Sequence, residues 1–188
     1  MEEAVFDAVK AGDLAKLRML ISMSVDVNVR DALGWSPLMW ASSLGFPQVV
    51  RVLLENGANT EASDDYGATA LMKACRQGSI EVADLLLKYG AEVDAVDALG
   101  WTALMRAAHG GHNPVVRLLL DESPQTDVAD YSGATALLLA AGEGHAQVVE
   151  QLVDWGVDID VKDIYGKTAL MRAAERGHEE VVGLLNGA

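Results

Sequence analysis

An all-α solenoid, built from stacked helix-turn-helix units, is the fold class that the sequence predicts, and three observations lead to it. A glycine recurs every 33 residues, at positions 34, 67, 100, 133 and 166. A Ser or Thr follows each of these glycines after two residues and a Leu after four, as in Thr102 and Leu104. Each interval also holds a second glycine, such as Gly111, and an aliphatic run, such as that at 115–120. Strict self-similarity at this period is typical of repeat proteins, in which each unit buries its apolar face on its neighbours.

The period divides the chain into units. In residues 1–30, Val5 and Ala8 fall at the phases of Leu38 and Ala41, so we interpret this segment as an N-terminal capping repeat. The full repeats are 31–63, 64–96, 97–129 and 130–162, and a truncated C-terminal repeat occupies 163–188. We expect a single repeat domain over residues 1–188, because stacked repeats share a continuous core.

Each full unit is predicted to form a turn, a short helix, a tight connection and a longer helix. The first helix should begin at the repeated Ser or Thr, such as Ser36, because these residues cap helix N-termini. The second should begin near a proline where one is present, as at Pro47, and end at a glycine, as at Gly57. The third full repeat has Ser123 and Pro124 in place of this glycine and the residue after it. We therefore expect a weakened or rerouted helix end there.

One family pattern matches the repeated segment, which at residues 97–108 is Asp-Ala-Leu-Gly-Trp-Thr-Ala-Leu-Met-Arg-Ala-Ala. It resembles the ankyrin repeat, whose pattern is Asp-x-x-Gly-x-Thr-Pro-Leu-His-x-Ala-Ala, then Gly-His, an aliphatic helix and Gly-Ala-Asp. The resemblance covers essentially the whole chain and implies an ankyrin-repeat solenoid whose helix pairs are joined by β-turn fingers. The family's proline is kept only at Pro37, and its histidine is replaced by Met39, Met72, Met105, Leu138 and Met171. We expect thioether packing to replace the polar contact of that histidine.

The net charge of the chain makes some classes of binding partner unfavourable. The 188 residues include 28 acidic and 14 basic side chains, which gives a net charge of −14. This average field repels nucleic acid and anionic lipid, so neither is expected as a partner. Much of the acid is expected in turns, because an aspartate stands three residues before each repeated glycine and can hydrogen-bond the turn backbone.

The sequence also predicts a location inside the cell. No apolar run is long enough to span a membrane, and the acidic start, Met-Glu-Glu, is unlike a secretory signal. The single cysteine, Cys75, occupies a phase that holds small residues elsewhere, such as Ala108, so we expect a buried thiol in a reducing compartment. The expected location is the cytoplasm or, more broadly, the cell interior including the nucleus.

Little in the sequence suggests catalysis. His112, His145 and His178 share one phase after the second glycine, so we interpret them as scaffold residues. His109 and His112 are spaced like a metal-binding pair, but no further ligand accompanies them at a suitable spacing. We find neither a nucleophile elbow nor a phosphate-binding glycine loop. We predict that the protein is not an enzyme and needs no cofactor or metal.

The family resemblance implies where a partner binds, because ankyrin proteins use the turn tips and the exposed side of the first helix. At these phases the chain carries most of its tryptophans and tyrosines together with several cations. Trp, Tyr and Arg dominate the binding energy of many interfaces. The predicted partner-binding residues are Leu33, Trp35, Trp40, Leu44, Tyr66, Lys73, Arg76, Leu99, Trp101, Arg106, His109, Tyr131, Glu143, Tyr165, Arg172 and Arg176.

We predict a non-catalytic protein-interaction module, monomeric on its own, that binds through an aromatic, partly basic concave groove. Its partner should be a protein or peptide with apolar anchors and acidic residues. Two alternatives concern the site: the apolar tips could pack against neighbouring turns, and the groove cations could pair with the turn aspartates. A further alternative concerns the role, which could be structural, through self-association or docking within a longer polypeptide.

Overall fold

A computed structural model describes residues 2–188, and within this range the chain forms twelve α-helices arranged in successive pairs. The first members of the pairs, here called inner helices, are α1 (Glu2–Lys10), α3 (Pro37–Leu44), α5 (Ala70–Gln77), α7 (Ala103–His109), α9 (Ala136–Glu143) and α11 (Ala169–Glu175). The second members, the outer helices, are α2 (Leu14–Ser22), α4 (Pro47–Glu55), α6 (Ile80–Lys88), α8 (Asn113–Asp121), α10 (Ala146–Trp155) and α12 (Glu179–Asn186). Each inner helix packs on the next inner helix, and the outer helices do the same, so the pairs stack into the predicted all-α solenoid. Over the same residues, no helix has the length and apolar character needed to cross a bilayer.

The inner helices begin where the sequence predicts, because a hydroxyl group caps each one from α3 onward. Ser36 Oγ accepts a hydrogen bond from the Met39 amide at 3.2 Å, and Thr102 Oγ1 accepts one from the Met105 amide at 3.2 Å. Each such cap satisfies an amide that has no partner inside its helix, which stabilises the helix by about 1 kcal/mol. The same cap occurs at Thr69, Thr135 and Thr168.

Small and flexible side chains fill the space between inner helices. Five alanines at one phase have no exposed surface, which lets successive helices approach closely: Ala41, Ala74, Ala107, Ala140 and Ala173. The predicted thioether packing is confirmed for Met39, Met72 and Met105, which are at most 1% exposed. Met171 is 47% exposed, because no described helix packs on the far side of α11.

A turn precedes each inner helix from α3 onward, and we call these turns fingers. The five fingers are residues 31–36, 64–69, 97–102, 130–135 and 163–168. An aspartate folds each finger by accepting two backbone hydrogen bonds on Oδ1; Asp64, for example, accepts them from Tyr66 and Ala68 at 2.9 Å. The finger glycine has a positive φ, 80° at Gly100, which few other residues adopt without strain. The fingers are therefore defined turns rather than loose loops.

Main-chain hydrogen bonds join the second finger to the third, the third to the fourth and the fourth to the fifth. They run from Ala98 N to Tyr66 O (2.8 Å), from Tyr131 N to Leu99 O (3.3 Å) and from Ile164 N to Ser132 O (3.0 Å). Between the first two fingers the described residues make no such bond. The Arg30 side chain links them instead: it donates to Gly34 O at 3.0 Å and to Ser63 O, just before the second finger, at 2.5 Å, and it lies 3.8 Å from Asp65 Oδ1.

The helix end in the third full repeat is not rerouted, which corrects part of the prediction. Ser123 takes a left-handed conformation, with φ of 55°, where Gly57 has 82°, and its amide still donates to Leu120 O at 2.8 Å. The end is weakened by one bond: the Ala58 amide donates to Leu53 O at 3.0 Å, whereas Pro124 has no amide hydrogen to donate at that place. Pro124 is buried, so its packing offsets part of this loss.

Candidate functional site

The fingertips present a row of large exposed side chains. The exposed fractions are 54% for Leu33, 70% for Tyr66, 58% for Leu99, 79% for Tyr131 and 75% for Tyr165. These values do not favour the alternative in which the tips pack against neighbouring turns. Exposed apolar and aromatic side chains in a contiguous row are typical of an interaction surface.

The cations of the inner helices are held by the finger aspartates. Lys73 Nζ lies 2.6 Å from Asp64 Oδ2, and Arg106 binds Asp97 in the same way. A third pair joins Arg172 to Asp163 at 2.7 Å. The aspartate side chains of all three pairs are at most 2% exposed, so a partner's carboxylate would have to displace a buried one. These cations could have been open to a partner or paired with the turn aspartates, and in the structure they are paired with the aspartates.

The pKa values of three finger aspartates, Asp31, Asp64 and Asp163, are lowered. Burial alone would raise the pKa of Asp64, but hydrogen bonds from Lys73 and from two backbone amides outweigh it and lower the pKa below its ordinary value of 3.8. Burial would also raise the pKa of Asp163, but hydrogen bonds from the Lys167 amide and from Arg172 outweigh this effect, so that pKa is lowered. The pKa of Asp31 is lowered too, because hydrogen bonds from Trp40 and the backbone exceed the effect of burial.

The tryptophans of the first finger and the first full inner helix are half-buried and already have partners. Trp40 Nε1 donates to Asp31 Oδ2 at 2.8 Å, and its ring centroid lies 4.6 Å from that of Trp35. Lys10 stands 4.0 Å from the Trp40 ring centroid, and Lys73 stands 4.0 Å from that of Trp35. These contacts hold both rings in place.

Trp101 links two fingers. Its indole Nε1 donates to Asp130 Oδ2 at 3.0 Å, so the third finger is tied to the fourth through a side chain as well as through the main chain. The guanidinium of Arg106 lies 4.6 Å from the Trp101 ring centroid on one side. The ring of His109 meets Trp101 edge-on, with 5.4 Å between ring centroids.

Beyond the tryptophans, the ends of the inner helices carry the remaining predicted residues. Arg176 binds Glu143 at 2.6 Å, and the hydrogen bond and charge of Arg176 lower the pKa of that carboxyl in spite of its partial burial. His109 Nδ1 lies 4.0 Å from the same carboxylate. Arg76 is exposed and has no ion pair among residues 2–188, and Leu44 is 39% exposed at the end of α3. Arg76 is therefore the predicted cation that is open to a partner's carboxylate.

The three phased histidines are structural. His112 Nε2 lies 2.9 Å from the carbonyl of Arg76, and His178 Nε2 lies 3.0 Å from that of Gly142, so each ring bridges to the preceding repeat. His145 makes the same bridge to His109 O at 3.0 Å. Cys75 is buried, which raises the pKa of its thiol and leaves it unreactive. No group of His, Cys, Asp or Glu able to hold a metal ion occurs among the residues described.

Sequence reasoning missed one regularity that organises this surface. In four fingers the aspartate binds the side chain nine residues later: Asp31 with Trp40, Asp64 with Lys73, Asp97 with Arg106 and Asp163 with Arg172. The spacing itself could have revealed it, because an aspartate recurs nine residues before each of these polar donors. Each pair fastens a finger to its own inner helix, so the fingertips are held on a fixed base.

Comparison with known proteins agrees with this architecture. A family model described as ankyrin repeats (3 copies) matches residues 5–97 and 92–163, and a single ankyrin-repeat model matches residues 165–188. Protein phosphatase 1 regulatory subunit 27 of Homo sapiens is 38% identical over 48 residues, and the Mus musculus protein of that name matches equally. The aligned segment covers 26% of this chain and 31% of each relative. With family models matching nearly its whole length and with helix pairs joined by fingers, the chain belongs to the ankyrin-repeat family.

Proposed function

We propose that this protein–protein interaction module binds an extended segment of a partner protein along the fingertips and the adjacent inner helices. We call this surface, which includes all the predicted partner-binding residues, the binding face. The observation that carries the proposal is the row of fingertip side chains that are between 54% and 79% exposed: Leu33, Tyr66, Leu99, Tyr131 and Tyr165. Nothing in the solenoid itself requires large aromatic groups at these places.

A fixed base strengthens the proposal. Binding costs free energy when side chains and loops must be ordered, about 0.5–1.5 kcal/mol for each immobilised flexible side chain. Here the aspartate ties and the main-chain links between fingers hold the turns before any partner arrives. Because the backbone of the fingers is ordered in advance, binding there would lose less conformational entropy than binding to loose loops.

The chemistry of the partner follows from the contacts of the binding face. Apolar or aromatic anchors fit the fingertips. Stacked helices lie roughly 8–10 Å apart, so anchors for Trp35 and Trp101, two repeats apart, should be separated by about five or six residues of extended chain. Lys73, Arg106 and Arg172 are paired internally, so the acidic requirement reduces to one carboxylate opposite Arg76.

A non-catalytic role is part of the same proposal. The human relative is named as a regulatory subunit of a phosphatase, and the segment shared with it consists of repeat units. The predicted cytoplasmic location and the monomeric state remain predictions. An adaptor or scaffold role, in which one polypeptide brings others together, is consistent with a face of this kind.

The experiment is a selection of short random peptides on the folded chain, followed by fluorescence-polarisation titrations of the best binder. We expect the double variant Tyr66→Ala, Leu99→Ala to weaken binding at least about tenfold, since two hot-spot side chains together contribute more than about 1.4 kcal/mol. The matched control is Tyr89→Ala, which removes an equally large side chain, 43% exposed, at the end of an outer helix. If the control weakens binding as much as the double variant, the binding face is not where the peptide sits.

A structural role is the second candidate, and one observation favours it. Met171 is 47% exposed, whereas Met39, Met72 and Met105 at the same phase are buried, so the last inner helix presents an apolar surface. Self-association through this surface would be seen as concentration-dependent sedimentation that Met171→Glu abolishes. A single species at all concentrations would leave the recognition role as the better account.

A further inference from the structure

One finger lacks the internal partner that the others have. In four fingers, the aspartate Oδ2 binds a donor nine residues later on its own inner helix, either an indole or a cation. In the fourth finger the aspartate is Asp130, and the residue nine positions later is Leu139, whose side chain can donate nothing. Leu139 therefore stands where three of the other repeats have a cation: Lys73, Arg106 and Arg172.

The carboxylate of Asp130 has hydrogen-bond partners but no cation among the described residues. Oδ1 accepts hydrogen bonds from the Ser132 amide at 2.8 Å, the Ser132 hydroxyl at 2.7 Å and the Ala134 amide at 2.9 Å. Oδ2 accepts one from Trp101 Nε1 at 3.0 Å, and no cation pairs with Asp130 anywhere in residues 2–188. Asp130 is also half-buried, whereas the cation-bound Asp64 is 5% exposed. Oδ2, with one bond, can therefore accept a second, and it belongs to a residue that is partly exposed.

We propose that Asp130 is the anchor for a lysine or arginine side chain of the partner. This inference rests on the proposed function, because the anchor lies within the binding face. The partner's cation would occupy the place that Arg172 fills beside Asp163, where Nε and Nη2 lie 2.9 Å and 2.7 Å from one oxygen. Leu139 is only 9% exposed, so the aliphatic stem of such a side chain would lie toward Tyr131, which is 79% exposed at the adjacent fingertip.

Charge favours a cation over any other group at this place. The chain carries a net charge of −14, and the arginines and lysine nearest the finger bases are already neutralised by aspartates. A basic residue would therefore approach through an attractive field and meet a carboxylate that has no internal counter-ion within residues 2–188. Together with a carboxylate opposite Arg76, it would fix the direction in which the partner runs along the face.

The test uses the indole N–H of Trp101 as a reporter, because it bonds the same oxygen. The probe is the blocked tripeptide acetyl-Leu-Arg-Leu-amide, titrated into the full chain and followed by NMR of the tryptophan indoles. The neutral analogue with citrulline in place of arginine keeps the shape and removes the charge. We expect a saturable shift of the Trp101 signal with arginine and affinity about tenfold lower with citrulline, because charge-assisted bonds are about twice as strong as neutral ones.

Variants at Leu139 give the second arm. Leu139→Arg should supply the missing internal partner and abolish the arginine-specific shift, whereas the matched variant Leu139→Met, which cannot donate a hydrogen bond, should keep it. Thermal melting of both variants checks that they fold, and Leu139→Lys, which reproduces the arrangement of Lys73 beside Asp64, substitutes if the arginine variant does not. Equal affinity for the arginine and citrulline peptides in the unmodified chain would overturn the proposal, and so would an arginine-specific shift that persists in Leu139→Arg.

The two proposals fail in distinguishable ways. If selected peptides depend on Tyr66 and Leu99 while the Trp101 signal ignores the charge of the probe, the binding face stands and the Asp130 anchor falls. If the Trp101 signal responds to arginine but not to citrulline while no selected peptide depends on the fingertips, the anchor stands as a local cation site.

Discussion

Replacing Lys73 with methionine removes the counter-ion of a buried carboxylate while keeping most of the side-chain volume. Asp64 is 1% exposed in its side chain and Lys73 is 12% exposed, so water cannot readily replace the ammonium. Breaking one partner of a fully buried pair costs about 3–5 kcal/mol. Asp64 keeps two backbone hydrogen bonds on Oδ1, so we expect a smaller loss, about 2 kcal/mol, in the free energy of unfolding.

The assay is urea denaturation at pH 7, and a matched variant sets the scale. Lys88→Met breaks an ion pair of the same length, 2.6 Å, to Asp84, but the two side chains are 67% and 37% exposed. Exposed pairs of this kind contribute about 0.2–1 kcal/mol. The double variant Lys73→Met, Asp64→Asn should recover part of the loss, because the uncompensated charge is then gone. A loss for Lys73→Met no larger than that for Lys88→Met would refute the reasoning that the finger ties are structural.

Three further predictions concern stability. Ser42→Ala should raise the free energy of unfolding by about 1 kcal/mol, because Ser42 Oγ is buried without a hydrogen-bond partner and the equivalent residues are Cys or Ala; a loss measured by urea denaturation would show that the hydroxyl is satisfied. Ser123→Gly should stabilise by about 0.5–1 kcal/mol through its left-handed φ of 55°, whereas Pro124→Ala should gain a hydrogen bond and lose packing, with little net change in melting temperature. Acid should destabilise the fold: the pKa values of Asp64 and Asp163 are lowered on folding, so their contribution is complete well above pH 3.8 and is lost as the pH falls through 3.8 and below. Equal unfolding free energies at about pH 7 and about pH 3 would contradict that linkage.

The repeat architecture could be predicted from sequence because its determinants are local. The hydroxyl at Thr102 caps the helix that follows it, and Gly100 takes the positive φ that its finger requires, so a short window contains both cause and effect. The period then extends this local result along the chain. Ser123 is the exception to this local rule. Packing of the repeats places a helix end there, so Ser123 takes a left-handed conformation that a residue other than glycine rarely adopts.

Which basic side chains of the candidate site are free of internal ion pairs was predicted less well, because the sequence shows the charged residues but not their contacts. Arg106 and Arg76 are both basic residues on inner helices, yet the first is bound to a buried aspartate and the second is exposed without an ion pair among residues 2–188. Asp97 stands nine residues before Arg106, whereas Gly67 holds that place before Arg76. The sequence contains this spacing, and the packed finger and helix show that it brings the two side chains of the first pair together.

The links between fingers set the spacing of the fingertips, and this spacing bears on which partners the proposed binding face would accept. From Tyr66 to Tyr165 the fingertips are joined by main-chain hydrogen bonds, whose length allows little variation, so their spacing acts as a rigid ruler. The first finger is joined to the second through the longer side chain of Arg30, so this link sets the spacing of the two fingers less tightly. A partner whose anchors have the wrong spacing would therefore be rejected along most of the row and tolerated at the Leu33 end.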